Sequence, residues 1–213
     1  MESFQIRGVR IVPAALDAAE QAAVVADLRG VAARAPLFHP ETARGRRMSV
    51  RMTSAGRVGW VSDRRGYRYE PRHPAGTAWP AIPERLLALW RAHACASVMP
   101  DTCLLNFYGA GARMGLHQDR DEADLSQPVL SLSLGDEALF RIGNLERGGP
   151  TESVWLCSGD LAILEGPGRL VHHGIDRVRH GSSRLLPDGG RINVTMRVAL
   201  PPGQGTSEQQ PER

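Results

Sequence analysis

Long apolar runs are missing from this 213-residue chain. The longest are interrupted by Arg, Asp or Gly, so no segment offers the roughly 20 consecutive apolar residues that cross a bilayer. The opening residues, MESFQIRGVR, have no apolar stretch behind a basic start, so a secretory leader is not expected and the cytoplasm is the expected location. Cysteine is scarce as well. Cys95, Cys103 and Cys157 form no CxxC pair, which speaks against a zinc knuckle or a thioredoxin-type redox pair, and they read as buried reduced thiols. Lysine is absent altogether: all 26 basic residues are arginine. Base composition alone can produce that, so the absence decides nothing about function.

What is present fits a globular chain with one sizeable core: 42% hydrophobic and 23% charged residues. The formal net charge is only +3, but the arginines are unevenly placed. Between Glu41 and Arg72, nine arginines face three acidic residues, Glu41, Asp63 and Glu70. Guanidinium forks suit phosphate. Phe38, Trp60, Tyr67, Tyr69 and Trp79 lie in or beside the same segment, among many Gly and Pro. Residues 37–79 therefore read as short strands and loops that build a surface.

On either side of that segment the spacing predicts helices. Residues 16–34 are Ala-rich with Leu and Val at helical intervals, and residues 83–97 open with Pro83, suited to a first turn. After Pro100 the texture becomes short strands separated by turn residues: 102–108, 113–118, 129–134, 138–142, 153–157, 160–164, 169–173 and 191–199. Eight short strands in about 100 residues suggest a sandwich or jelly roll. The polar, Pro- and Gly-rich residues 201–213 read as a disordered tail. The expected organisation is one catalytic domain over residues 1–200, with a recognition segment at 41–79 and the strand-rich core at 102–199.

The chemistry starts from His117-Gln118-Asp119. On a strand, residues two apart point the same way, so this imidazole and carboxylate can take adjacent positions on one metal. A third, distant His would complete a two-His, one-carboxylate facial triad of the kind that serves non-haem iron(II) oxygenases. Alone the HxD pair is weak, arising by chance roughly 0.4 times in a chain of this composition, and a solvated turn would explain it. His172 and His173 are both candidates for the third ligand. Being adjacent, they face opposite sides of a strand, and spacing does not choose between them. In the last strand, Arg191, Asn193, Thr195 and Arg197 share one face, and Ile192, Val194, Met196 and Val198 the other. Two arginines on one face call for anions or water opposite, and an exposed edge strand would meet the same need. A dicarboxylate such as 2-oxoglutarate would satisfy them.

The ordered set His117-Gln118-Asp119, His173, then Arg191-Ile192-Asn193 through Arg197 resembles the AlkB family of iron(II)- and 2-oxoglutarate-dependent dioxygenases, in its bacterial alkylated-DNA repair type. Flanking matches are Asn106-Phe107-Tyr108, the run from Leu116 to Glu122, Ser131 to Gly135, and His173-Gly174-Ile175; upstream the likeness continues through Met48-Ser49-Val50, Gly59-Trp60 and Gly66-Tyr67. It covers about residues 45–199. The resemblance implies an α+β fold with a double-stranded β-helix (jelly-roll) core, N-terminal helices and a nucleotide-recognition segment. It picks His173 over His172, because the family's ligand precedes Gly-Ile; His172 stands where an aromatic residue is often found. It implies iron(II) on His117, Asp119 and His173, and 2-oxoglutarate on Arg191, Arg197, Asn106, Tyr108 and Asn193, with Arg191 as partner of the distal carboxylate and O2 as the oxidant. On the substrate side it implies Trp60 stacking on the base, Tyr67 at a phosphate, Asp121 at the base, and Met52 and Arg147 nearby. The implied reaction is oxidative demethylation of N-alkylated bases such as 1-methyladenine and 3-methylcytosine, with 2-oxoglutarate converted to succinate and formaldehyde released. A monomer acting on alkylated DNA, single-stranded DNA favoured and RNA possible, with no membrane partner, is the expected assembly. Two other readings stand beside it: a same-fold oxygenase for methylated RNA, protein or a small molecule, and a silent nucleic-acid-binding module. The presence of all three ligands and both arginines argues against the silent module.

Overall fold

A computed structural model describes residues 2–96 and 98–201. The expected tail at 201–213 lies, apart from Pro201, outside the described residues. The strands are β1 (Phe4–Ile6), β2 (Val9–Val12), β3 (Arg51–Gly56), β4 (Gly59–Asp63), β5 (Gly66–Glu70), β6 (Thr102–Tyr108), β7 (Met114–His117), β8 (Val129–Gly135), β9 (Glu137–Ile142), β10 (Glu152–Leu156), β11 (Leu161–Leu164), β12 (His173–Arg179) and β13 (Arg191–Arg197). The helices are α1 (Ala18–Arg34) and α2 (Glu84–His93). Seven strands form a major sheet in the order β1-β2-β11-β8-β13-β6-β3, four form a minor sheet in the order β10-β9-β12-β7, and β4-β5 is a separate hairpin. This is the expected jelly-roll arrangement, largely antiparallel, with the helices on one side.

Alternation divides each central strand between two environments. Leu130, Leu132 and Leu134 of β8 and Val194 and Met196 of β13 pack in one cluster with Val24, Leu28 and Val31 of α1 and Leu86 and Trp90 of α2. Opposite them, the inner face packs toward the minor sheet, where Ile11, Met52, Leu104, Tyr108, Phe140, Ile142, Leu156 and Ile175 form a second cluster. The polar residues of β13 are thus enclosed. β13 lies between β8 and β6, so its arginine face is not an exposed edge.

Helix α1 starts where its cap dictates: the Asp17 carboxylate accepts from the Glu20 N–H while the Glu20 side chain accepts from the Asp17 N–H. Helix α2 is shorter than the expected 83–97. Arg10 donates to the His93 carbonyl at 2.7 Å, closing the helix there, and the Trp90 indole donates to the Val98 carbonyl, drawing the chain back. The expected strand at 169–173 is also displaced. A 3-10 turn occupies Gly166–Gly168 and the strand begins only at His173. A Cβ on Gly168 would sit 2.3 Å from the Gly8 carbonyl oxygen, so the turn docks directly on the β1-β2 connection. The β1-β2 hairpin was not anticipated from the sequence; its apolar alternation is only four residues long.

Candidate active site

Strand pairing brings the first parts of the site together. In the β7-β12 ladder His173 lies directly opposite His117, and their rings are 4.6 Å apart. Asp119 follows the end of β7 and turns back: its Oδ1 is 3.7 Å from His117 Nε2 and its Oδ2 is 3.6 Å from His173 Nε2. The ligand-capable atoms of these three residues lie within 4.8 Å of one another, the one such group of three or more His, Cys, Asp or Glu among the described residues. Each imidazole is held by a backbone carbonyl: His117 Nδ1 to Gly115 O at 2.9 Å and His173 Nδ1 to Val171 O at 3.1 Å. A carbonyl can only accept, so Nδ1 carries the proton and Nε2 keeps its lone pair for a metal. His172 turns away and bonds the Asn144 carbonyl at 3.0 Å.

Burial alone would raise the Asp119 pKa, but Arg197 beside it, followed by His173 and His117, more than reverses this and holds it below the ordinary carboxylate range. Burial likewise pushes the His173 imidazole down to about 4, keeping it neutral at neutral pH. A carboxylate that stays ionised and an imidazole that stays neutral are the ligand forms a divalent cation requires.

The inner face of β13 and its neighbours supplies the rest. Arg191 is 1% exposed, donates to Ser133 Oγ at 2.9 Å and lies over the Tyr108 ring, while its Nε and Nη1 have no hydrogen-bond partner among the described residues. Asn106 donates to Asn193 Oδ1, Asn193 donates to Ser131 Oγ, and Thr195 donates to Asn193 Oδ1. Arg197 is placed differently from Arg191. Its Nη2 is 2.9 Å from Asp119 Oδ1 and its Nε 3.1 Å from Glu122 Oε1. Burial opposes its charge, but Asp119, Tyr69 and Glu122 outweigh that and raise its pKa. One buried guanidinium therefore already faces carboxylates, and the other lacks one. An unsatisfied buried cation, on the same strand as the arginine that contacts Asp119, is the environment an anionic ligand would complete.

Two residues essential to this geometry were not singled out from the sequence. Arg169, 4% exposed, donates to the Asp119 carbonyl, the Gln127 carbonyl and Glu122 Oε2. Glu122 also accepts from Tyr69 on β5. Arg169 and Glu122 stand 47 positions apart and carry no local signal of a buried pair.

The substrate-side candidates separate into three places. Trp60 on β4 donates from its indole to Asp121 Oδ2 at 3.0 Å, and Tyr67 stacks on it at 5.4 Å between ring centroids. Met52, 2% exposed, is packed in the inner cluster rather than lying on an open face; Trp60 packs against that cluster. Arg147 is exposed in the connection between β9 and β10, and beside it opens a crevice of about 640 Å³ lined by Arg7, Asn144, Leu145, Arg147, Pro167 and Val171 among others. Of the arginine-rich segment, Arg44, Arg46, Arg47 and Arg64 are exposed, and their side chains make no hydrogen bond or ion pair among the described residues.

The profile of the 2OG-Fe(II) oxygenase superfamily matches residues 8–197. The alpha-ketoglutarate-dependent dioxygenase AlkB homolog of Caulobacter vibrioides is 52% identical over 195 residues, covering 91% of this chain and 89% of that protein. The chain belongs to the AlkB family of 2OG-Fe(II) oxygenases. The alpha-ketoglutarate-dependent dioxygenase AlkB of Escherichia coli K12 is 40% identical over 190 residues, covering 87% of each chain. Among solved structures, that of OsALKBH1 superposes with a TM-score of 0.77 at 28% identity, covering 91% of this chain and 98% of the other. Membership makes the chain an iron(II)- and 2-oxoglutarate-dependent dioxygenase that uses O2. The His117-Asp119-His173 set and the unsatisfied nitrogens of Arg191 fit that pair of ligands. None of the helices among the described residues is long and apolar enough to cross a membrane.

Proposed function

We propose that this chain removes alkyl groups oxidatively from the nitrogens of nucleobases in DNA, with lesions of the 1-methyladenine and 3-methylcytosine type in single strands as preferred substrates. The observation that carries the reading is the Trp60–Asp121 hydrogen bond, which fixes an aromatic platform two residues from Asp119. Exposed Arg44, Arg46, Arg47 and Arg64, without counter-ions among the described residues, lie on the same segment as that platform, and together they suit a stacked base and its phosphates.

Iron(II) with 2-oxoglutarate and O2 supplies the oxidation: the N-alkyl carbon is hydroxylated, 2-oxoglutarate becomes succinate and carbon dioxide, and the hemiaminal releases formaldehyde. The chain's own residues bind and orient. His117, Asp119 and His173 hold the metal. Arg191 would bind the distal carboxylate of 2-oxoglutarate, because its Nε and Nη1 have no hydrogen-bond partner among the described residues. Asn106, Tyr108, Asn193 and Arg197 line the remainder, with Arg197 keeping Asp119 ionised. Trp60 stacks on the flipped base and Tyr67 reaches its phosphate. Asp121, already an acceptor for Trp60, faces the exocyclic groups, and Met52 backs the platform from within. Arg147 contacts the flanking strand. Residues 1–200 act as one catalytic unit, a cytoplasmic monomer, with 41–79 as its recognition segment.

The test is a panel of single- and double-stranded oligonucleotides carrying one methylated base, incubated with iron(II) and 2-oxoglutarate and read by mass. Loss of one methylene mass unit from the single-stranded 1-methyladenine or 3-methylcytosine strand is expected. Succinate formation with no mass change in any oligonucleotide would refute the nucleic-acid reading while leaving the oxygenase intact.

A further inference from the structure

The connection between β9 and β10 is built rather than slack. Asn144 closes it from inside, donating to the Gly148 carbonyl at 2.6 Å and, more weakly, to Pro150. Gly148 and Gly149 take φ of +105° and +74°, and a Cβ on Gly149 would meet the Asn144 amide at 2.6 Å, so the turn accepts no side chain there. Arg7 ties the Asn144 side-chain oxygen to the N-terminal hairpin. Two further tethers come from the metal-binding segments. Gln118, between two of the metal-binding residues, donates to the Leu145 carbonyl at 3.0 Å and to Leu170 at 2.5 Å. His172, next to the third, bonds the Asn144 carbonyl through its ring at 3.0 Å and through its N–H at 2.9 Å, and its own carbonyl accepts from Gly143. The tethered loop presents Leu145, 56% exposed, and Arg147, whose guanidinium makes no ion pair among the described residues.

We propose that Gln118 and His172 are positioning residues that lock the 143–150 loop to the metal-binding strands, so that Arg147 is held at a fixed place on the nucleic-acid path. The hydrogen bonds at the ends of β7 and β12 show the division of labour. His117, Asp119 and His173 converge on one another, while Gln118 and His172, between and beside them, bond the carbonyls of Leu145, Leu170 and Asn144 and carry the loop. The carbonyls they engage cannot be reached by a hydrocarbon ring. The inference rests on the proposed nucleic-acid function.

The test uses the full chain loaded with iron(II) and 2-oxoglutarate, and the variants His172→Phe, His172→Asn and Gln118→Ala. Phe keeps the ring shape and removes the donor; Asn places an amide where His Nδ1 stood. In His172→Phe, amide exchange in 144–149 should speed up about fivefold, the effect of one lost hydrogen bond. The KM for a methylated single-stranded oligonucleotide should rise by a similar factor, with kcat within twofold. The salt dependence of oligonucleotide binding should lose about one unit of slope, as for one phosphate contact. His172→Asn should restore all three, Gln118→Ala should repeat the loop-exchange change, and adding Arg147→Ala to His172→Phe should raise KM no further than Arg147→Ala alone. Unaltered loop exchange in both His172→Phe and Gln118→Ala overturns the inference, as does a KM effect of His172→Phe that adds in full to that of Arg147→Ala. Failure of the proposed function shows itself elsewhere, in a wild-type protein that leaves every oligonucleotide unchanged.

Discussion

Arg191→Met separates what the protein needs for folding from what it needs for its co-substrate. Arg191 is 1% exposed and makes one side-chain hydrogen bond, to Ser133, with Nε and Nη1 left without partners among the described residues. Burial lowers its pKa, though an arginine stays protonated in practice. In the ligand-free protein this is a buried charge lacking a carboxylate; replacing buried ion pairs with apolar residues of similar volume is neutral to stabilising by about 1–4 kcal/mol, and a cation without its partner should gain at the upper part of that range. Met nearly matches the volume but strands Ser133 Oγ, which costs about 1 kcal/mol. The net expectation is a gain of about 2 kcal/mol, or roughly 6 °C in Tm for a chain of this size. With 2-oxoglutarate that advantage disappears. The wild type should gain about 2.7 kcal/mol at a hundredfold excess over Kd. Loss of the guanidinium–carboxylate contact costs at least about 2 kcal/mol of binding, a roughly thirtyfold weaker Kd. Calorimetry of the anaerobic iron-loaded protein, with and without 2-oxoglutarate, reads both effects. A variant that melts below the wild type when free, yet keeps the full upward shift with 2-oxoglutarate, would refute the assignment of Arg191 as the seat of the distal carboxylate.

Three further outcomes follow from the geometry. Asp119→Ala should abolish succinate formation and iron retention, measured by turnover and metal content; turnover at the wild-type rate would overturn the ligand assignment. Tyr69→Phe removes the hydrogen bond to buried Glu122 and should destabilise the protein by about 1 kcal/mol in urea unfolding, whereas no change would mean that the bond contributes nothing. Among the thiols, burial pushes Cys103 up to about 12 and also raises Cys157, which means less reactive thiolate at pH 8; a chromogenic disulfide reagent should therefore modify exposed Cys95 first, Cys157 more slowly, and Cys103 only on denaturation.

The parts of the site legible in the sequence are those written in local periodicity. The two faces of β13 were readable from strict alternation, and His117 and Asp119 from their spacing of two. The choice between His172 and His173 was not legible from spacing, because it depends on where β12 begins. The turn at Gly166–Gly168 delays the strand until His173, and register then sets that residue opposite His117. Cysteine burial was misjudged for the same reason: Cys95 and Cys157 lie at element ends and are exposed, while only Cys103, inside β6, is buried. The Arg169–Glu122 pair and the Arg7–Asn144 tie span 47 and 137 positions, and nothing local distinguishes such residues from solvated charges.

The charges enclosed around the site explain why iron and 2-oxoglutarate belong together. Three buried guanidinium groups, Arg169, Arg191 and Arg197, face two buried carboxylates, Asp119 and Glu122, and burial keeps His173 neutral at neutral pH. Among these side chains positive charge exceeds negative by one before any ligand arrives; the other two buried carboxylates, Asp136 and Asp160, are taken up by backbone N–H groups of Ser183, Gly190, Ala14 and Cys157. A divalent cation alone raises that excess, and the carboxylate nearest to it is already shared with Arg197 at 2.9 Å. A dianion would offset the metal charge in full, and Arg191, the one of the three guanidinium groups without a carboxylate, would complete its binding. Each ligand should then bind more tightly in the presence of the other, by the same factor, as linkage requires. Titration of iron(II) into the anaerobic protein with and without saturating 2-oxoglutarate measures that factor. In Arg191→Met the excess charge is gone, so iron alone should bind more tightly than to the wild type while the enhancement by 2-oxoglutarate shrinks. An iron affinity indifferent to 2-oxoglutarate in the wild type would contradict the charge argument directly.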